Sequence, residues 1–471
     1  TDATTPLIYR GEDAFADETV YSVSLAIEKP SRYYLVLETR DGVLLKSHAF
    51  DVVHDPFSDI GSVMVQSYSH TNTARYEDIS RTVHVLDANN TMTRVIQQMP
   101  DTMMPEGNVF ATTGYLATMY NTWDIYMENW TTFVVNEKEQ MQQLLMDQTP
   151  WMLAMQVPDG DFAGSVYQDE GDRERFMGIQ YNFAKNDRVI RELRPDNYST
   201  AVTGQYAAAM AAAADTYAQH GDRQMALESV KASLKAWQFL QTHQNFARFA
   251  VGGPWDGIDV DERVLTATRL LEIEYYYPDI YAQAQLETGV YGGAAPLDLA
   301  WYVNTHVNQL QPWLTFEGDR HDAMAYSHIA LLSDALVADT GLSAARDLAQ
   351  KKLLYSIGDR ITELSEDNPF HQGVLNDAHD AWAWGSTRNK MDKVRWLLVI
   401  DEIAARRDAD EYDARYLNAA YDLWSSVVEG RNIYAMSFMV GYSDRSPRNP
   451  HDVFYASGYV TLDKLNGRIV N

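Results

Sequence analysis

The hydrophobic pattern of the chain changes period once. Up to about residue 70, β-branched and aromatic residues come in short runs, at 20–26, 33–38, 43–48 and 63–68, with Pro30-Ser31 and Asp41-Gly42 as turn punctuation. This predicts short strands and a small β-sandwich. Residues 80–108 are rich in Met and Pro, show no regular period and read as irregular. From 109 onward apolar residues recur at spacings of three and four, which predicts helices over 198–220, 224–243, 261–274, 297–310, 322–339 and 343–365. The first is clearest, with AAAMAAAA over 207–214, Asp196 or Ser199 as a cap at its start and Gly221 just past its end. Two more follow. Val394, Leu397, Leu398, Ile400 and Ile403 share one face, and Tyr416, Ala419, Ala420, Leu423, Trp424 and Val427 share the next, with the acidic break 408–413 between them. Beyond Gly430 the residues turn polar and predict a surface loop.

Short connections make consecutive helices antiparallel neighbours, which argues for an α/α toroid. The alternative is an α-solenoid, for which the chain shows no fixed repeat.

Composition narrows the chemistry. The chain has 471 residues, 46% of them hydrophobic, enough for a large core, and no cysteine. Disulfides, thiol catalysis and Cys-ligated metals are therefore excluded. A formal net charge of −28 gives a surface that repels nucleic acid and anionic lipid, and its plainest reading is solubility. No apolar run approaches the ~20 residues of a membrane-spanning helix. The first residue is Thr1, not Met, so the expectation is a secreted or cell-surface protein whose leader has been removed. Sequons at Asn89, Asn129 and Asn197 matter only where the compartment glycosylates.

The last third of the chain carries the most specific order. Trp384-Gly385-Ser386 precedes a helical hairpin, Gly430-Arg431-Asn432 closes it, and SFMVGYSDRSPRNPH runs over 437–451. This order resembles the C-terminal signature of family 9 glycoside hydrolases. LAMQVPDGDFAGSVYQDEGDRERFMG from Leu153, the helix after Pro195, and GIDVDER from Gly257 are similar to earlier family segments in the same sequence order. SRYYLVLETRDGVLLKSHAFDV from Ser31 resembles the last strands of the immunoglobulin-like module that precedes many of the family's barrels. The likeness covers roughly 20–451. It implies a mostly α fold, an (α/α)6-type barrel over 76–471 preceded by a small immunoglobulin-like β-sandwich over 1–75. It also implies an oligo- or polysaccharide partner with β linkages, inverting hydrolysis, and sugar contacts from His451 and Arg448. The family continues its Pro-His with His-Arg; here Asp452 and Val453 follow His451.

Inverting hydrolysis needs one carboxyl to protonate the leaving oxygen and one to activate water, about 6.5–9.5 Å apart. The family's base comes from G-G-W-x-D-A-G-D before the first barrel helix. Between 80 and 115 the only aspartates are Asp87 and Asp101, with no Gly-Gly-Trp and no Asp-x-x-Asp. The motif-like substitute is Asp169-Glu170-Gly171-Asp172, so Asp169 and Asp172 are the catalytic candidates, against the plainer reading of a solvated acidic loop. The family's acid is a Glu beyond the His loop, whereas the last Glu here is Glu429. Three readings follow: a hydrolase with substitute carboxylates, a pseudo-hydrolase kept for glycan binding or self-assembly, or a sequence that lacks native segments.

Aromatic faces stack on sugar rings. Trp255, Trp301, Trp313, Trp382 and Trp384, in or near loops at helix ends, are candidate platforms, with burial as the alternative for each. No cofactor is expected. Asp256, Asp259 and Asp261 alternate as oxygen donors suited to Ca²⁺, but capping of the following helix is the favoured role. His371, His379 and Asp380 match no metal-ligand spacing.

Overall fold

A computed structural model describes residues 8–13, 18–22, 29–52, 82–97, 149–169, 190–244, 259–291, 298–310, 320–367, 386–407, 412–432 and 436–441, with single-residue gaps and a few isolated positions beside them. The N-terminal strands pair as three ribbons: β1 (Ile8–Asp13) with β2 (Glu18–Ser22), β3 (Ser31–Tyr33) with β6 (Phe50–Val52), and β4 (Val36–Glu38) with β5 (Leu44–Lys46), all antiparallel. The Asp41-Gly42 turn closes the last ribbon, where Thr39 accepts from the N–H groups of Gly42 and Val43. These small β elements are consistent with the expected module. The strand at 63–68 and the boundary near 75 lie outside the described residues.

Residues 80–108 were expected to be irregular, and here the structure differs. β7 (Thr82–Leu86) and β8 (Met92–Gln97) form an antiparallel hairpin. Its turn is built by Asp87, whose Oδ1 accepts from the N–H groups of Asn89 and Thr91. Val83 and Val85 alternate with Thr82 and His84, a two-residue period that the Met and Pro content of the wider stretch obscures. β7 sits inside a four-stranded sheet of order β8-β7-β10-β9, with β10 (Ile190–Arg194) parallel to β7 and antiparallel to β9 (Gln168–Asp169).

Most of the rest of the described chain is helical. α1 (Thr200–Gln219) buries 17 of its 20 residues. Alanine is the best helix former and the smallest side chain, so α1 can be surrounded on all sides. Ser199 caps its start by accepting from the Val202 N–H, and Gly221 lies just past its end. α2 (Arg223–Thr242) returns antiparallel. α3 (Val260–Tyr276) is followed by α4 (Pro278–Thr288), a helix the periodicity did not predict. Pro278 reads as a stop, but in the first turn of a helix its missing N–H has no partner to lose.

The helix expected at 297–310 is α5 (Leu299–His306) followed by a 3₁₀ turn at Val307–Gln309. The one expected at 322–339 is split into α6 (Arg320–Leu331) and α7 (Asp334–Thr340), because Ser333 caps a new start by accepting from the Leu336 N–H. The last expected helix of the series runs as α8 (Ser343–Lys351), a π turn over Lys352–Gly358 and α9 (Asp359–Asp367). A Cβ at Gly358 would stand 2.8 Å from the Tyr416 ring and 2.9 Å from Ile400, so glycine there lets the neighbours reach the backbone. α10 (Ser386–Arg407) and α11 (Arg415–Val427) are the last helices among the described residues.

Four of these helices run parallel. Gln205 meets Glu262 near the starts of α1 and α3, and Asp215, late in α1, meets Tyr277 just past the end of α3. Arg269 meets His328, and Tyr276 meets Ser333, in the same order along α3 and α6. Arg407 at the end of α10 reaches Asp347 and Gln350, while Gly358 faces Ile400, so α10 runs against α8 and with α6. α2, α8 and α11 are the antiparallel returns. This alternation is the (α/α)6-type barrel plan, with α1, α3, α6 and α10 as its inner helices among the described residues. One apolar core runs through them, from Ala211 and Leu234 to Leu397 and Leu423. A second core packs Met152, Met155, Val166 and Tyr167 onto Val202, Tyr206 and Met210 of α1.

Candidate functional site

Parallel inner helices put all their N-termini at one end of the barrel, called the mouth below. Each N-terminus leaves unpaired N–H groups and a partial positive charge pointing outward. The chain meets that charge with carboxylates: Asp261 and Glu262 are fully buried in the first turn of α3. Gln205 Nε2 donates to Glu262 Oε1 at 3.1 Å across the α1–α3 contact, and Thr266 Oγ1 donates to the Gly204 carbonyl at 2.9 Å.

Asp259 was expected to cap α3. It occupies the N-cap position but makes no side-chain cap bond; its Oδ2 accepts from Arg263 Nη2 at 2.7 Å. Arg263 also donates to the Leu240 and His243 carbonyls at the end of α2. A cation there satisfies carbonyls that the helix leaves unpaired, and that demand outcompetes the cap. Tyr302 stands beside this pair, its phenol pushed up to about 12 by burial, and its ring lies near-perpendicular to that of Trp237 at 5.0 Å. On α10 the buried Lys390 ammonium is pulled down to about 7 by burial and by the Lys393 charge.

Five rings gather where the start of α1 meets the end of α2. Tyr198 lies 5.3 Å from Phe162, 5.2 Å from Phe239, 5.9 Å from His243 and 5.1 Å from Phe246. His243 stacks on Phe239 at 3.8 Å. None of these residues is a loop tryptophan; the cluster's sequence signal is the aromatic residues on either side of predicted helix ends.

Asp169 pairs with Leu193 in the β9–β10 ladder, seven residues before Thr200 opens α1. Asp172, Trp255, Trp313, Trp382, Trp384, Arg448 and His451 lie outside the described residues, as do Asp256, His371, His379 and Asp380. The described segments that bracket them are informative. The chain between α2 and α3 holds Trp255, and α6 and α10 begin directly after the stretches with Trp313 and with Trp382 and Trp384. The stretch toward Arg448 and His451 leaves from the end of α11, antiparallel to α10. Every one of those attachments except the one preceding Trp313 is a mouth-side helix end on both described flanks or on the single flank described. Trp301 is 42% exposed on α5, where Asp298 accepts from its N–H. Among the described residues no three His, Asp or Glu side chains come together to hold a metal ion, and no helix is long and apolar enough to cross a membrane.

Comparison with known proteins agrees with this architecture. The sequence profile of Glycosyl hydrolase family 9 matches residues 105–466. Endoglucanase D of Acetivibrio thermocellus is 25% identical over 310 residues, which cover 64% of this chain and 42% of that relative's own length. The chain thus spans less than half of the curated relative it matches. The structure of AaCel9A in complex with cellobiose-like isofagomine superposes with a TM-score of 0.64 at 15% identity, covering 100% of this chain and 86% of that one. Endoglucanase CelQ from Clostridium thermocellum complexed with cellotriose gives a TM-score of 0.48 at 14% identity, covering 84% of this chain and 59% of that one.

Proposed function

Because the chain belongs to glycosyl hydrolase family 9, we propose that it takes β-linked glucan chains across the mouth of the barrel and hydrolyses them with inversion. The observation that carries this reading is topological. The inner helices are parallel, so the described helix ends nearest in sequence to Trp255, Trp382, Trp384, Arg448 and His451 all lie at the mouth, which supports a site there. AaCel9A, which shares the fold, is complexed with a cellobiose-like ligand, and that supports a glucan as the ligand class.

In this reading Asp169, with Asp172, supplies the water-activating carboxylate. Its carboxylate takes a proton from water as the oxygen attacks the anomeric carbon, and a second carboxyl protonates the departing glycosidic oxygen from the opposite side. The position of β9 next to the strand that leads into α1 supports Asp169 over a solvated loop residue. Polymeric glucans do not cross membranes, so the substrate implies action outside the cell or at its surface.

A second reading, a glycan-binding protein without hydrolysis, is favoured by one observation: residues 80–115 contain neither Gly-Gly-Trp nor Asp-x-x-Asp. Reducing-sugar release from soluble β-glucan separates the two. Release by the native chain that Asp169→Asn abolishes supports the hydrolase. Retained glucan binding with no release establishes the second reading, and release unaffected by Asp169→Asn moves the base to another carboxylate.

A further inference from the structure

We infer that Phe246, backed by Tyr198, is a sugar-stacking subsite at the rim of the mouth, distinct from the tryptophans the sequence nominates. The inference rests on the proposal that the chain binds β-glucan.

Phe246 is 44% exposed, yet its main chain is fixed in both directions. Its N–H donates to Thr200 Oγ1 at 2.9 Å, and its carbonyl accepts from the Thr200 N–H at 3.0 Å. Thr200 is the first residue of α1, so this pair satisfies one of the unpaired N–H groups of an inner helix and pins Phe246 to the mouth. The ring cannot fold back into the core. Tyr198 stands behind it at 5.1 Å, and Tyr198 is itself held by Phe162, by Phe239 edge-on at 87° and by His243.

Core packing does not account for the exposed part of this ring. Leaving apolar area in water forgoes its burial energy, and the two main-chain bonds would hold any residue at 246. A rigid aromatic surface is, by contrast, well suited to binding, because little side-chain entropy is lost when a ligand settles on it. The ligand chemistry follows from the shape and charge. β-Linked glucose has equatorial hydroxyls, which leaves two flat faces of axial C–H groups that pack on an aromatic ring. It is also neutral, so a protein with a net charge of −28 does not repel it, as it would a polyanion.

The test is affinity electrophoresis of the full chain in gels containing hydroxyethylcellulose, with Phe246→Ala, Phe246→Trp and thermal unfolding of each. The expected result is retardation of the native chain, binding about fivefold to tenfold weaker for Phe246→Ala at an unchanged unfolding midpoint, and retardation restored by Phe246→Trp. Equal retardation of Phe246→Ala and the native chain would overturn this inference and leave the glucan proposal standing. No retardation of the native chain would overturn both. A Phe246→Trp variant as weak as Phe246→Ala, with the midpoint unchanged, would overturn the stacking role.

Discussion

The α1–α3 contact and the β4–β5 ribbon use apolar residues in opposite ways. In the first, alanines and a glycine bring two helices so close that polar groups bond across the seam: Gln205 to Glu262, Thr266 to the Gly204 carbonyl. In the second, larger side chains stay in water. Leu35, Leu37, Val43 and Leu45 alternate onto one face of the ribbon, and all four are exposed. Side-chain size therefore says little about where stability resides. Small residues in a closed helical seam carry more of it than large ones on a two-stranded ribbon, which by itself is marginal in water.

The sharpest attack on the barrel side of this contrast is Trp237→Ala. Trp237 is 1% exposed and sits in the main core against Tyr302. Removing it leaves a large cavity between α2 and α5, with an expected loss of about 3–5 kcal/mol in urea unfolding. A loss near zero would mean that the helical core is not the stable unit.

Gly204→Ala tests the seam itself. In an open helix this change stabilises, by roughly 0.5–1 kcal/mol. Here the new Cβ would lie 2.5 Å from the Glu262 Cβ, and Glu262 is fully buried and bonded to Gln205. The clash outweighs the entropy gain, and the expected net effect is a destabilisation of about 1–3 kcal/mol by thermal or urea unfolding. A more stable variant would show that α1 and α3 do not pack this closely.

How much of this could be read from the sequence depends on the range of each interaction. Local periodicity predicted α1 and α2 nearly to the residue, because the alanine run, Ser199 and Gly221 all act within one element. It missed α4, where Pro278 at the first turn mimics a stop, and the β7–β8 hairpin, whose short alternation is diluted by its flanks. The Asp259–Arg263 pair is four residues apart, a spacing the capping expectation passed over. The competing carbonyls of Leu240 and His243 that decide its role come from another helix and were not legible. The aromatic cluster has the same origin: Phe162 and Phe246 meet at Tyr198 only because α1 and α2 are antiparallel. The family order over 384–451 was legible as a motif, and the parallel inner helices explain why such distant stretches attach to one end.

Inside the barrel the same long-range assembly sets a pH dependence. Arg269 Nη2 donates to His328 Nε2 at 2.8 Å, which requires an unprotonated nitrogen. Burial, then the Arg269 and Arg395 charges, hold the His328 imidazole well below its ordinary value. From α8, Gln350 donates to the Ala330 carbonyl of α6, and Arg346, paired with Asp334, donates to the Leu332 carbonyl just past its end. When pH falls below the ordinary imidazole range, the unfolded chain takes a proton that the folded one refuses, so stability falls with pH until the lowered folded value is reached. Glu272, raised by burial against the pull of Arg269, works in the opposite direction. The readout is therefore the difference between the native chain and His328→Gln, whose amide oxygen can still accept from Arg269. Unfolding midpoints measured from pH 7 downward should fall more steeply in the native chain, by one proton's worth of slope. Parallel curves would mean His328 titrates normally.

The ribbon side of the contrast predicts the smallest effect. Leu37 and Leu45 are cross-strand partners, 44% and 52% exposed. Substitution of both by serine removes little buried area, so global stability should change by no more than about 0.5 kcal/mol per residue. Urea unfolding followed by far-UV circular dichroism, which is dominated by the helices, measures this directly. A loss of several kcal/mol would show that the apolar face is covered in solution and coupled to the barrel. The contrast between the two regions would then be one of visible contacts only, because large side chains on the ribbon would be carrying stability just as the small ones in the seam do.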